Sequence, residues 1–300
     1  MKSLFAALRS WWQAVSPLTF LLTALFAALL VFLNYHCRLE PMIAALPVVL
    51  RLLAWYAVFA LSFWTPYLFH RLTGARHTNR SGTFRLLLLL APAIFAVKIA
   101  WPLPFSGLPS YWQTIFYYPF KLALTTLLLY IIWRRFHSDR PFYGTSRSAF
   151  GLTPYVGMLL FMLPLIAMAS TQKDFLGMYP KWQHIEAVRT SGGWKQALYE
   201  LSYGSDFVTI ELFFRGFLVL AFARYVGPAA ILPMAVFYCS IHFGKPLGEC
   251  ISSFFGGMLL GAVTLYTRSI WGGLLVHLGI AWLMELGGTI GHQLRPELFY

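Results

Sequence analysis

Charge is scarce in this chain. Only 11% of its 300 residues are charged, and Asp and Glu together number ten. A soluble domain carries about 25% charged residues, so a surface wetted on all sides is excluded. Cysteine is scarce as well. Cys37, Cys239 and Cys250 show no Cys-x-x-Cys spacing, which argues against a disulfide framework or a cysteine zinc site.

What fills the chain instead is apolar: 59% hydrophobic and 18% aromatic residues. The pattern predicts an all-α, polytopic transmembrane helix bundle of about eight or nine spans. Apolar stretches fall near 17–35, 51–69, 86–103, 111–133 and 152–170, then near 206–226, 229–243, 251–267 and 270–290. This divides the chain into N-terminal transmembrane helices (1–170), a polar connector (171–204), a four-helix core (205–290) and a tail (291–300).

The net charge of +13 raises the question of a polynucleotide partner, and its placement answers it. With the N-terminus in the cytoplasm, Lys2, Arg9, Arg71, Arg76, Arg80, Arg85, Arg134, Arg135, Arg140, Arg147, Arg224 and Arg268 all fall on the inner side. The short outer connections hold little beyond Arg38 and Lys245. This is the positive-inside bias of an integral membrane protein, with inner arginines suited to anionic headgroups of the surrounding membrane lipids. No nucleic acid is needed to explain the charge. The first span lacks a small-residue cleavage signature and reads as a retained helix rather than a signal peptide.

Lys98 and Lys121 lie inside their spans, where long side chains are expected to snorkel to an interface. The connector carries Trp182, Trp194, Leu198 and Leu201, which suggests helix lying on the membrane surface, broken at Gly192-Gly193. Such a helix could gate a site or simply join two spans. Glycines cluster toward the C-terminus, Gly256, Gly257, Gly261, Gly272, Gly273 and Gly279 among them, and indicate close helix packing.

The unusual chemistry is at the C-terminal end. Glu211 and Arg215 stand four apart in an apolar run, so they share a helix face. Ionisable groups at bilayer depth cost at least about 2.5–3.5 kcal/mol each and persist where they pair inside a bundle. His242 ends the next span with Tyr238 one turn before it, and Glu249 follows across a short link that brings the two to one side. In the last span His277, Ala281 and Glu285 form one stripe. Asp206, after Gly204-Ser205, reads as a helix N-cap. Histidine with carboxylate can bind a divalent metal or activate water as a general base. Ser240 and Cys239 have no orienting partner, and no Gly-x-Ser-x-Gly, paired-aspartate or His-Glu-x-x-His motif occurs. Water attack, with or without a metal, is the chemistry this set permits.

The order Glu211…Arg215, His242, His277 resembles the CPBP family, the type II CAAX prenyl endopeptidases and bacteriocin-processing relatives also called Abi. That family's motifs run Glu-Glu-x-x-x-Arg, Phe-x-x-x-His and His-x-x-x-Asn/Asp over a four-helix core, and the resemblance covers about 205–290. It implies an intramembrane metalloendopeptidase that hydrolyses a peptide or protein substrate at the membrane by activated water. By the same resemblance Glu211, Arg215, His242 and His277 carry catalysis, and Glu249, which follows His242 so closely, is a fifth candidate. His242, His277, Glu249 and Glu211 are the candidate ligands of a divalent metal such as Zn. Three positions depart from the pattern: Ile210 replaces the first Glu, Ala281 the Asn or Asp, and Tyr238 the Phe. Glu249 or Glu211 is the expected substitute for the missing carboxylate, and Glu285 for the missing polar group. Two other readings stay open: a CPBP-fold protein that has lost hydrolysis and serves binding, scaffolding or immunity, and a transporter using the buried charges as a proton relay.

Overall fold

The structure is a computed structural model describing residues 2–73, 81–102, 104–146 and 151–294. Arg76, Arg80, Arg147 and the tail beyond residue 294 lie outside the described residues. Within them the protein is helical throughout, with no strand.

The first half holds α1 (Lys2–Ala14), α2 (Pro17–Cys37), α3 (Leu39–Ala44), α4 (Val48–Leu72), α5 (Gly82–Ala100), α6 (Ser110–Phe136) and α7 (Thr153–Ala169). Helix α1 was no part of the sequence-based expectation. It buries Leu4, Ala7 and Trp11 and exposes Phe5 and Trp12, the two-faced pattern of an interfacial helix, and it packs on the C-terminal core. Pro17 then opens α2, where its missing N–H costs nothing.

Helix α2 shows how the spans are oriented. Its buried stripe is Thr19, Thr23, Ala27, Val31 and Asn34, while Leu18, Leu21, Leu25, Leu29 and Phe32 face outward. Small and polar residues inside, large apolar ones outside, is the arrangement that suits helices packed in lipid.

Seven helical runs are long and apolar enough to cross a membrane among the described residues: α2, α4, α5, α6, a run Gly193–Ser240, and the last two helices. Helix α7, at 17 residues, is shorter. The sequence placed two separate spans at 206–226 and 229–243, and the structure differs there. After the short helices α8 (Lys173–Leu176) and α9 (Glu186–Arg189), α10 (Gly193–Ile210) continues directly into a π-helical segment, Glu211–Ala221. A short α11 (Ala223–Val226) and a 3-10 turn (Gly227–Ala230) follow, then α12 (Ile231–Ser240).

All ten residues of α12 are buried. A ten-residue helix is about 15 Å long, half of a ~30 Å hydrocarbon core, so α12 is an interior helix enclosed by protein rather than a lipid-facing span. It packs on α13 (Leu247–Thr267), α4, α2 and the π-helical segment. Helix α14 (Trp271–Leu294) completes the bundle against α7, α10 and α13.

Three residues stand elsewhere than the sequence suggested. Asp206 is no N-cap: it lies inside α10, and its Oδ1 is 2.8 Å from Lys98 Nζ. Lys98 therefore does not snorkel. Neither does Lys121, which is buried and donates to the carbonyls of Lys98 and Trp101 at the end of α5. Two lysines and one aspartate thus tie α5, α6 and α10 together. The connector is tied down as well. Phe175, Leu176 and Tyr179 are buried, and His292 of α14 hydrogen-bonds the carbonyls of Leu176 and Tyr179.

One end of the bundle gathers basic residues. Arg224 pairs with Asp139 at 2.7 Å, and Ile270 N–H donates to Gly144 O. The opposite end joins Asn34 to Phe243 and Tyr35 to Lys245.

Candidate functional site

The site begins with the π-helical segment. Its hydrogen bonds reach five residues back, so each turn holds more residues than the 3.6 of an α-helix. Residues four apart then nearly stack. Arg215 Nη1 lies 3.1 Å from Glu211 Oε1, with both side chains fully buried. π-helical turns are rare and recur at functional sites.

Helix α14 supplies the second partner. His277 Nδ1 is 3.0 Å from the same oxygen, Glu211 Oε1. A carboxylate oxygen accepts, so Nδ1 carries the proton. Glu211 Oε2 is buried without a hydrogen-bond partner and lies against Gly273, where a Cβ would stand 2.5 Å from it. Only glycine lets α14 approach this carboxylate so closely.

Helix α12 brings Tyr238, which touches Arg215, His242 and His277. The Arg215 guanidinium sits over its ring at 4.2 Å, a cation–π contact in a desolvated setting. Its hydroxyl is 3.0 Å from His277 Nε2. Its carbonyl accepts from His242 Nδ1 at 2.8 Å. That bond fixes the His242 tautomer: Nδ1 holds the proton, and Nε2 is left with a free lone pair. Burial of the imidazole pushes its pKa down to about 4, partly opposed by the charge of Glu249, so His242 is a neutral base over the physiological range.

The structure therefore brings Glu211, Arg215, His242 and His277 together through Tyr238. Glu249 is set apart. Its carboxylate accepts from Tyr179 hydroxyl at 3.0 and 3.1 Å and lies 3.4 Å from Lys245 Nζ. The short link does place Glu249 on the side of His242, yet its hydrogen bonds run to the connector. Glu285 is likewise engaged elsewhere. It accepts from the Lys181 backbone N–H at 2.9 Å, two turns of α14 beyond His277. Ala281 is buried in an aromatic cluster with Tyr199, Tyr203 and Phe207, so no polar group stands at that position. Ile210 is packed into the main apolar core.

The four candidate metal ligands consequently divide. Both nitrogens of His277 and one oxygen of Glu211 are bonded to each other or to Tyr238 and Arg215, Glu249 is held by Tyr179 and Lys245, and His242 Nε2 stands alone. Among the described residues no group of three or more His, Cys, Asp or Glu is close enough to hold a metal. The donor set does not fit one in this arrangement.

Residues 205–283 match the family model described as type II CAAX prenyl endopeptidase Rce1-like. Over these residues the C-terminal core is similar to that family, as the order of its motifs implies. The match spans the end of α10, the π-helical segment, α12, α13 and the first half of α14, and so contains every residue bonded to Tyr238. Residues 1–204, with the Lys98 contacts and the Tyr179 connector, lie outside it. No curated protein and no solved structure matches the chain.

Sequence reasoning missed the central role of Tyr238 in this core. Its spacing from His242 was visible, but the sequence cannot show that its hydroxyl meets His277 or that its ring lies under Arg215. Tyr179 was missed because its partner Glu249 stands 70 positions away, and Lys245, one turn before Glu249, reads in sequence only as part of an outer connection.

Proposed function

We propose that the protein is an intramembrane endopeptidase of the CAAX-protease type, hydrolysing a peptide bond of a membrane-associated substrate with activated water. The observation that carries this reading is the convergence of Arg215, His242 and His277 on Tyr238, with Glu211 bridging Arg215 and His277, inside an Rce1-like core. The reading also places the basic end of the bundle in the cytoplasm, by the positive-inside rule.

In this mechanism His242 Nε2 takes a proton from water as the water oxygen bonds to the scissile carbonyl carbon. The Tyr238 hydroxyl, which donates to His277 Nε2 in the resting site, turns to donate to the developing oxyanion. Glu211 holds His277 in its Nδ1-protonated tautomer, and Arg215 balances the carboxylate. The intermediate collapses as the C–N bond breaks, and His242 returns its proton to the leaving amine. No step is assigned to a metal, because the donor set does not converge on one.

A second reading has its own support: a CPBP-fold protein in a binding, scaffold or immunity role without hydrolysis. Ile210 can neither accept a proton nor bind a metal, and Glu211 Oε1 is taken up by Arg215 and His277. One experiment separates the two. Purified protein is incubated with prenylated and unprenylated peptides, with and without chelator, beside His242→Ala. Cleavage abolished by His242→Ala supports the peptidase. No cleavage from a folded protein overturns it and favours the second reading, while inhibition by chelator would restore a metal to the mechanism.

A further inference from the structure

A cavity of about 450 Å3 lies apart from the motif residues. Its walls are Glu40 of α3, Arg51 and Trp55 of α4, Ala100 and Trp101 at the end of α5, Phe105, and Tyr117 of α6. Two opposite charges face into it, and they do not pair with one another.

Arg51 uses Nη1 on Ala44 O at 3.5 Å and Nη2 on Ala100 O at 3.3 Å. These carbonyls end α3 and α5, and the negative pole of a helix C-terminus favours a cation there. That explains how a guanidinium is held without a carboxylate. Both bonds are long, however, and Arg51 Nε is buried with no partner. Capping also leaves Glu40 unexplained. The Glu40 backbone N–H is bonded to Asn34 Oδ1, but its carboxylate makes no ion pair among the described residues.

Opposite charges within one cavity attract, and both pay for dehydration unless a partner arrives. A ligand that satisfies both carries an anionic group for Arg51 and an ammonium for Glu40. Trp55, Trp101, Phe105 and Tyr117 surround them with aromatic faces, which also favour an ammonium. The cavity opens among helix ends, at the end of the bundle opposite the basic residues. Aromatic residues at that depth mark the headgroup layer, and Trp101 is half exposed there.

We propose that this cavity binds the headgroup of a zwitterionic phospholipid, its phosphate on Arg51 and its primary ammonium on Glu40. The site also touches the motif region: Glu40 Cδ lies 3.3 Å from where a Cβ on Gly244 would be, two residues after His242. The proposal is independent of whether the protein cleaves peptides.

The test is binding by native mass spectrometry of the delipidated protein, titrated separately with phosphatidylethanolamine, phosphatidylglycerol and phosphatidylcholine. Wild type is expected to bind phosphatidylethanolamine at least tenfold tighter than the other two. Arg51→Gln should weaken it tenfold or more. Glu40→Gln should retain phosphate binding and lose the preference over phosphatidylglycerol. Soluble phosphoethanolamine at equal concentration is expected not to compete; if it displaces the lipid, the cavity takes a free zwitterion and the lipid assignment is overturned. Equal affinity for all three lipids, or no change in either variant, overturns the proposal. Should Arg51→Gln fail to fold, the selectivity of Glu40→Gln decides the matter alone.

Discussion

The hydroxyl of Tyr238 and Nε2 of His277 stand 3.0 Å apart, on helices that meet only through tertiary packing. His277 is thereby held at both nitrogens, by Glu211 on one side and Tyr238 on the other. The family pattern has Phe where this chain has Tyr238, so this bond is a property of the present sequence. Tyr238→Phe keeps the ring under Arg215 and the carbonyl for His242 and removes the hydroxyl alone. A hydrogen bond of this kind contributes about 0.5–1.5 kcal/mol, which as transition-state stabilisation is roughly twofold to tenfold in rate. The expected outcome is a fall of that size in kcat with KM nearly unchanged. Unaltered kcat in the variant, measured on the same peptide, would reduce the hydroxyl to a packing role.

Glu211 and Arg215 form a pair with no exposure to solvent. Removing one member of such a pair strands a buried charge, at a cost of about 3–5 kcal/mol. Glu211→Gln should therefore lower the thermal unfolding midpoint in detergent markedly. The double variant Glu211→Gln/Arg215→Met removes the stranded charge and should recover most of that loss, since apolar replacement of a buried pair is often neutral. A double variant less stable than the single one would mean that the pair itself, rather than charge compensation, holds the segment.

Much of this arrangement was legible beforehand, for identifiable reasons. Apolar runs such as Pro17–Cys37 announce spans because lipid leaves few alternatives to a helix. The motif residues stood out because charge is so rare around them. Helix α12 reads as a span in the sequence because burial in protein and burial in lipid leave the same apolar signature in ten residues. Asp206 reads as a cap in the sequence because its partner, Lys98, is on a helix more than a hundred positions away. Glu249 lies near His242 in the sequence, but Tyr179 of the connector holds its carboxylate. Side-chain partners chosen by packing have no local trace.

Gly273 offers a test of how tightly the site is built. A methyl group there would meet Glu211 Oε2 at 2.5 Å, whereas at Gly256 it would meet nothing within 4 Å. Gly273→Ala must push the carboxylate away from Arg215 and His277, or part α14 from the π-helical segment. Overpacking of this kind costs about 1–3 kcal/mol. Gly256→Ala serves as the control and should be neutral or slightly stabilising, since alanine is the better helix former. Equal unfolding midpoints for the two variants would show that α14 has room to move at this contact.

The last prediction concerns pH and uses His242. Burial lowers its pKa to about 4 in the folded protein, against an ordinary value near 6.5. Between those values the unfolded chain binds a proton that the folded chain refuses, so protonation favours unfolding. The contribution of His242 to stability is therefore complete above about pH 6.5 and is lost as pH falls toward 4. His242→Gln, which keeps a donor for the Tyr238 carbonyl but cannot titrate, should flatten that part of the stability profile. Catalysis should follow the same group from the other side. A base must be unprotonated to accept from water, so cleavage by the wild-type protein should hold steady down to about pH 5 and fall only as pH approaches 4. An acid limb near pH 6.5 instead would assign the base to a group other than the half-buried His242, whose pKa is lowered.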